Sequence, residues 1–372
     1  MIPTLRSGWS APIAGRGIKC SPASFPERGT HVLRARDVAD GTTMKSFRFA
    51  MLLAIFVAAS SRGANRGHSK LVRQEGSIDA MGSVTTVVAY GQDPVRLRSA
   101  ISNALQEMQR LDGMLSNYKP HSEWSEMNRL AAQQPFKVSH ELFELLAACM
   151  DYSRKSEGTF DISVGPLMRV WGFYKGSGHL PAEGAVSHAL QKVGYQNIIL
   201  DSKTQTVRFA QEGVELDPGG IGKGYAVDRM IKVLRNEGVR SALVSAGGSS
   251  IYALGNPPNE NGWEIHLMDG KSRLRPVETV TLRDESLSTS GSYEKFFYAD
   301  GKRWSHIMDP RTGRPSEGML SVSVIAPRTL DSEAWAKPYY ILGRQWTAKH
   351  KESGFRVFLC EDKPGSPCSW VN

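Results

Sequence analysis

The sequence predicts a fold of mixed α+β class, and three observations carry that expectation. Apolar residues recur at helical spacing between Val95 and Leu111, β-branched residues dominate the second half of Ser77–Tyr90, and the alternation from Ile198 to Phe209 reads as a hairpin. Helical and extended periods interleave along the chain, so helices must cover sheet surfaces in one hydrophobic core. The 372 residues suffice for one large or two medium domains.

Charge is unevenly placed. The formal net charge is +9, but the first 70 residues hold 11 of the 46 Lys and Arg and only 3 of the 37 Asp and Glu, leaving 35 positive against 34 negative residues. A nearly neutral body disfavours nucleic acid as a partner. Residues 1–43 are rich in Gly, Pro, Ser and Arg and read as a disordered or untranslated leader. Residues 44–61 read as a signal peptide: Met44, Lys45 and Arg48 precede the apolar run Phe49–Ala59, then small residues follow. An uncleaved membrane anchor is the alternative. An export linker covers residues 62–76, and residues 77–372 form the folded domain. The chain is therefore expected in the periplasm or cell envelope, touching a membrane only through this segment or through a partner.

Within the domain, Ser77–Tyr90 reads as a strand pair bent at Met81-Gly82. A helix follows from Asp93-Pro94 to Met114, its apolar stripe being Val95, Leu97, Ile101, Leu105, Met108 and Leu111. The next stretch, LSNYKPHSEWSEMNR, is polar but carries Tyr118, Trp124 and Met127, and reads as a loop serving either a binding surface or ordinary packing. A second helix runs from Ser139 to near Gly158. Asp161 then stands in the apolar run GTFDISVGPLMRVWGF, where an acid needs a specific partner. A short helix over Ala182–Val193 precedes the hairpin.

The stretch Leu216–Met230, LDPGGIGKGYAVDRM, organises the rest. Asp217, four glycines and Lys223 lead into a helix, an arrangement that lets the backbone approach a ligand and offers amide groups to an anion. The glycines are expected to take positive φ. A plain strand-to-helix connection is the competing reading. Beyond it come a buried strand, Ser241–Ala246, and a second glycine turn, Gly247–Ser250. Strands are expected around Trp263–Leu267, Glu278–Leu282, Phe296–Ala299, Leu320–Ala326 and Phe355–Cys360, and a helix over Asp331–Leu342 limited or kinked by Pro338. The hydroxyl run Ser288-Thr-Ser-Gly-Ser-Tyr293 reads as a solvated turn or a phosphate grip.

His306 and Asp309 are three residues apart before a Pro/Gly turn, so one could orient or polarise the other. Cys149 falls on an apolar helix face and reads as a buried thiol, whereas Cys360 and Cys368 could close a small loop in an oxidising compartment. No Cys/His spacing suggests zinc.

Taken in order, the motifs AMGSV (80–84), LSNYKPHSEWSEMN (115–128), FDISVGPLMRVWGF (160–173), LDPGGIGKGYAVD (216–228), the 246–248 turn, STSGSY (288–293) and SHIMDPRTGRP (305–315) resemble the ApbE family of FAD:protein FMN transferases. The resemblance implies mainly antiparallel sheets with packed helices, in two lobes around an FAD cleft. It implies that Met81, Tyr118, Thr159, Phe160, Asp161, Asp217, Lys223 and Ile307 line the flavin and its phosphates. His306 and Asp309 fall in the motif implicated in phosphoryl transfer. The implied reaction moves FMN from FAD, consumed as substrate, onto a Thr or Ser hydroxyl of an acceptor protein and leaves AMP.

The same resemblance implies a Mg²⁺ site built from the Gly220 carbonyl, an Asp and a Thr four residues further on. This sequence departs from it, with Glu333 in the Asp place and Lys337 in the Thr place. Glu ligates Mg²⁺ through oxygen, whereas an ammonium repels it. Asp331 is the acid if the register shifts, and Ser249 stands where many relatives carry an acid or Asn. Two alternatives stay open: an FAD-binding protein without transferase activity, and a pyrophosphatase giving FMN and AMP.

Overall fold

A computed structural model describes residues 71–176, 178–268, 270 and 275–372. The leader, the signal peptide and the linker up to residue 70 lie outside the described residues.

The first pair is β1 (Val72–Ala80) and β2 (Ser83–Gly91), antiparallel in the register Val72↔Gly91 to Ala80↔Ser83. β1 thus starts inside the segment read as linker. Helix α1 (Pro94–Leu115) follows, with the Asp93 side chain accepting from the amides of Val95 and Arg96 and with Pro94 in its first turn. Of its expected stripe, Val95 is exposed. The polar segment beyond contains a helix rather than only loop: α2 (Glu123–Leu130), capped by Ser122, with Trp124 and Met127 fully buried. Ser122 with Glu123 and Glu126 in the first turn is the start signal that marks it.

Next come β3 (Phe136–Lys137), α3 (His140–Lys155), α4 (Gly165–Val170), α5 (Ala185–Leu190), β4 (Ile198–Asp201) and β5 (Thr206–Phe209). Strands β3, β5 and β4 make a small antiparallel sheet in that order. The chain continues through α6 (Gly222–Asn236), β6 (Ser241–Ala246), β7 (Ser250–Leu254), β8 (Trp263–Met268), β9 (Pro276–Leu282), β10 (Glu285–Gly291), β11 (Phe296–Ala299), β12 (Lys302–Ser305), β13 (Met308–Asp309), β14 (Arg314–Pro315) and β15 (Met319–Ala326). It closes with α7 (Thr329–His350), β16 (Arg356–Glu361) and β17 (Ser369–Trp370).

The main sheet has the order β1-β2-β6-β7-β10-β15-β16-β17, every neighbouring pair antiparallel. Alternation along β6 shows how it is layered. Ala242 and Val244 point to α1 and α6, packing with Met108, Leu111, Val227 and Met230, while Leu243 points to the opposite face under the β8–β9 hairpin, with Trp263, Ile265 and Leu282. A third cluster joins α3 and α7 to β15 and β16 through Leu142, Leu146, Trp335, Tyr339, Val322 and Leu359. A fourth cluster holds Leu167, Trp171, Phe173, Ala189 and Met308, with Phe297 and Trp304 packed against it.

Two expectations are corrected. The hydroxyl run is no turn: Ser288–Gly291 lie in central strand β10, where Ser286 and Ser288 bond the Ser332 hydroxyl and Thr289 bonds that of Ser323. Buried hydroxyls that satisfy one another pack like small residues, so those of Ser288 and Thr289 are engaged within the fold. Nor does Pro338 limit α7. The backbone departs from helix at Gly343, with φ 73° and ψ −173°. Burial of Trp335, Ala336, Tyr339 and Tyr340 on both sides of the proline holds the helix across it.

Cys149 is a free buried thiol, and Cys360 is bonded to Cys368. Among the described residues, no helix is long and apolar enough to cross a membrane.

Candidate active site

Asp217 opens a short 3₁₀ turn, Pro218–Gly220, by accepting a hydrogen bond of 2.6 Å from the Gly219 amide. The turn feeds α6 at Gly222. None of its four glycines takes positive φ. Close approach is the reason at Gly224, where a Cβ would meet the Thr329 carbonyl oxygen at 2.5 Å and Glu333 Oε2 at 2.8 Å. Glu333 accepts the Gly224 N–H, so the start of α6 is capped from α7 and is only partly free for an anion.

Lys223 donates to the Ser249 hydroxyl at 2.6 Å. The departure at Ser249 thus has a physical role, since it supplies a neutral acceptor for the ammonium. Lys337 donates to the Glu333 carbonyl at 2.9 Å, and its Cε lies 3.4 Å from where a Cβ on Gly220 would stand. Burial lowers the pKa of Lys223, and that of Lys337 is pushed down to about 8, first by burial and then by Lys223, against the pull of Glu333.

His306 sits just past β12, opposite Lys295 at the end of the β11–β12 hairpin. The Lys295 carbonyl accepts from the His306 amide at 3.0 Å and faces Nδ1 at 3.1 Å. Because a carbonyl only accepts, Nδ1 carries the proton and Nε2 is left with a lone pair. The imidazole pKa is pushed down to about 4 by burial, then by the ammoniums of Lys295, Lys337 and Lys223. Water still reaches His306, Lys223, Lys337 and Asp217, each of which is only half-buried. The desolvation comes from the walls of a recess. Lys295 also acts on Asp217, whose pKa is raised by burial beside the Tyr174 hydroxyl. The three residues singled out from sequence therefore share one electrostatic neighbourhood.

Asp309 does not join it as expected. Its carboxylate holds Arg311 through Nε at 2.9 Å, a second guanidinium nitrogen at 2.8 Å and the backbone amide at 3.0 Å. The β13–β14 turn consumes this acid, and the Lys295 carbonyl takes its place as the orienting partner of His306. Lys295 and Tyr174 were not legible as site residues, since neither belongs to a distinctive local pattern.

The remaining positions sort by burial. Met81, at φ 50°, forms the β1–β2 turn and donates its amide to Asp112 at 2.8 Å. Tyr118 is 70% exposed and meets Tyr174 edge to face at 6.3 Å. Phe160 is buried beside Gly220, and Ile307 is buried in the core. Both carboxylate oxygens of Asp161 accept backbone amides, from Ser163 at 2.8 Å and Tyr195 at 2.6 Å, so it braces the backbone. Thr159 Oγ1, Ser83 Oγ and Asn117 Oδ1 are buried without a hydrogen-bond partner. Such atoms cost stability unless something else bonds them, and each lies in a segment assigned to flavin contact. A cavity of about 660 Å³ lined by Asn117, Tyr118, Asn128, Arg169 and Glu215 opens beside this region without reaching His306 or Lys223.

Against known families, the model of the ApbE family matches residues 81–358. The chain belongs to the ApbE family. An FAD:protein FMN transferase of Klebsiella pneumoniae (strain 342) is 33% identical over 268 residues, covering 71% of this chain and 80% of that protein. The FAD:protein FMN transferase of Escherichia coli (strain K12) is 30% identical over 273 residues, 70% of this chain and 76% of that one. Of solved ApbE structures, that of the Thermotoga maritima ApbE protein aligns with a TM-score of 0.74 at 27% identity, covering 80% of this chain and 96% of that chain. The apo Pseudomonas stutzeri flavinyl transferase ApbE aligns at 0.70 with 29% identity, covering 81% and 94%. The α+β class with antiparallel sheets is thereby the ApbE fold.

The residues in the place implied for Mg²⁺ do not fit a divalent ion. Gly220, Glu333 and Lys337 do meet, but one oxygen of the Glu333 carboxylate already accepts the Gly224 amide and Lys337 brings an ammonium where an oxygen ligand is needed. At about 4 Å and an effective dielectric near 20, a doubly charged ion and an ammonium repel by roughly 8 kcal/mol. Asp331, the alternative acid, is bound by Arg328 and the Tyr152 hydroxyl. Among the described residues no other group of three acidic, His or Cys side chains is placed to hold a metal.

Proposed function

We propose that this ApbE-family chain is an FAD:protein FMN transferase that moves FMN from FAD to a Thr or Ser hydroxyl of an acceptor protein. The observation that carries the reading is His306: a neutral imidazole with a free Nε2, beside three ammonium groups in a half-open recess.

FAD enters as substrate, its flavin against the Met81, Tyr118 and Phe160 segments and its diphosphate near Lys223, Lys337 and Lys295. The acceptor oxygen attacks the phosphorus on the flavin side. One P–O bond forms to that oxygen, and the P–O bond bridging to AMP breaks. Nε2 of His306 takes the hydroxyl proton, while AMP departs with the bridging electron pair as an anion held by the ammoniums. Cations fixed before the reaction stabilise the added charge without reorganising, and a neutral imidazole is available as base at neutral pH.

The test incubates purified protein with FAD and an acceptor domain, then measures AMP and the fluorescence of flavin retained on denatured acceptor. Covalent flavin together with AMP supports transfer. AMP with free FMN assigns a pyrophosphatase, and FAD retained without AMP assigns a binder.

The chain is also proposed to act after export, in the periplasm or cell envelope. The Cys360–Cys368 disulfide and the basic-apolar-small pattern of residues 44–61 support that placement.

A further inference from the structure

We propose that the Lys337 ammonium stands where a divalent cation would otherwise face the FAD diphosphate, so that this chain binds and cleaves FAD without a metal. The binding half rests on geometry alone. The cleavage half rests on the transferase reading.

Four observations converge. Lys337 is tethered from below by its bond to the Glu333 carbonyl, which leaves two of its three N–H donors for another acceptor. Its Cε lies 3.4 Å from where a Cβ on Gly220 would stand, so the side chain runs beside the residue whose carbonyl is implied for the metal, and ammonium and cation would compete for that space. The buried Glu333 carboxylate accepts the Gly224 amide at Oε2 and places a negative charge that acts on both Lys223 and Lys337. Asp331, two residues earlier, is held by Arg328 and Tyr152. A site with one shared carboxylate and two ammoniums is already balanced for a diphosphate. Adding a doubly charged ion would set it against both lysines.

The arrangement also explains the Lys223–Ser249 bond. A neutral hydroxyl at 2.6 Å positions Lys223 without cancelling its charge, whereas an acid there would consume it. Two ammoniums that share one carboxylate therefore face the ligand, in the place where a divalent ion would supply its charge.

The experiment measures FAD affinity by flavin fluorescence in excess EDTA and in excess Mg²⁺, and binding of Mn²⁺ to the FAD-loaded protein by electron paramagnetic resonance. For the unmodified chain, the two FAD dissociation constants are expected to agree within about twofold, with no tightly held Mn²⁺. Lys337→Thr is expected to weaken FAD binding in EDTA by about tenfold and to regain it with Mg²⁺. The proposal is overturned if EDTA weakens the unmodified chain tenfold or more, if that chain holds Mn²⁺ tightly with FAD, or if Lys337→Thr binds FAD in EDTA as well as its parent. AMP release is followed in parallel. Its absence under every metal condition sinks the transferase reading and leaves the affinity comparison standing.

Discussion

The carboxylate of Glu333 caps helix α6 at the amide of Gly224, across 109 residues of sequence. The capping is reciprocal. Asp228, one turn further along α6, accepts from the Thr329 and Leu330 amides at 2.8 and 2.9 Å and so caps α7, whose own Arg328 provides no side-chain cap. Each helix thus satisfies the orphan donors of the other. The register between them brings Lys223 and Lys337, neighbours of the capped turn and of the capping acid, into one recess.

Truncating Glu333 should therefore act on stability as well as on the site. Glu333→Ala leaves the Gly224 amide unpaired, and it is expected to cost about 1–3 kcal/mol. Glu333→Gln keeps an acceptor oxygen and is expected to recover part of that loss. Urea midpoints of the two variants and the parent decide the matter, and an unchanged midpoint for Glu333→Ala would show the cap to be inert.

His306→Ala removes the proton acceptor and little of the binding surface. AMP release is expected to fall by at least about a hundredfold, with FAD affinity held within about tenfold, or 1.4 kcal/mol. Single-turnover AMP formation and fluorescence titration separate the two effects. Turnover at the parent rate would remove His306 from the mechanism.

The pH dependence follows from the depressed imidazole pKa. His306 is pushed down to about 4, so the neutral form required of a base prevails above that pH and is lost as pH falls through it. The rate of AMP release is expected to be flat from neutrality down to about pH 5, then to drop, with Lys295→Met moving the drop toward the ordinary imidazole value near 6.5. Burial acts on the ring first, then the ammoniums of Lys295, Lys337 and Lys223, against the hydrogen bond to the Lys295 carbonyl, so Lys295→Met removes only part of the shift. An acid limb already centred near pH 6.5 in the parent would contradict the electrostatic description.

Two glycines of one turn are expected to behave in opposite ways. A Cβ at Gly224 collides with the Thr329 carbonyl and Glu333, so Gly224→Ala should cost about 1–3 kcal/mol or more and disturb FAD binding. At Gly222 the nearest atoms are Pro218 Cβ at 3.7 Å and Leu115 Cδ1 at 3.8 Å. Gly222→Ala is therefore expected to be neutral, or to stabilise by up to about 1 kcal/mol through reduced backbone freedom. Thermal melts of the pair provide the comparison, and equal losses would refute the close-approach argument.

Much of the fold was legible because its signals are local. Asp93-Pro94 and Ser139 mark helix starts, the β-branched residues and the Met81-Gly82 bend of Ser77–Tyr90 mark a strand pair, and the structure places elements there. The misreadings arose where tertiary burial overrode a local signal. Trp124 and Met127 read as residues of a loop, serving a binding surface or ordinary packing, yet they anchor a short helix in the core. The hydroxyls of Ser288 and Thr289 read as part of a solvated turn or a phosphate grip, yet they bond within the sheet and to the helix over it. Pro338 reads as a limit or kink in its helix, yet packing holds α7 regular across it and the break comes at Gly343.

By itself the sequence determined the periods, the caps, the order of the motifs and the presence of an acid, a cation and an imidazole in the right segments. Only the tertiary structure decided which of them meet. It gave His306 to the Lys295 carbonyl rather than to Asp309, Lys223 to Ser249, and Glu333 to Gly224, leaving Lys337 against Gly220. The physical reason is range: a cap or a turn is written in neighbouring residues, whereas these partners are chosen by sheet register and helix packing, which join distant segments only once the core has closed.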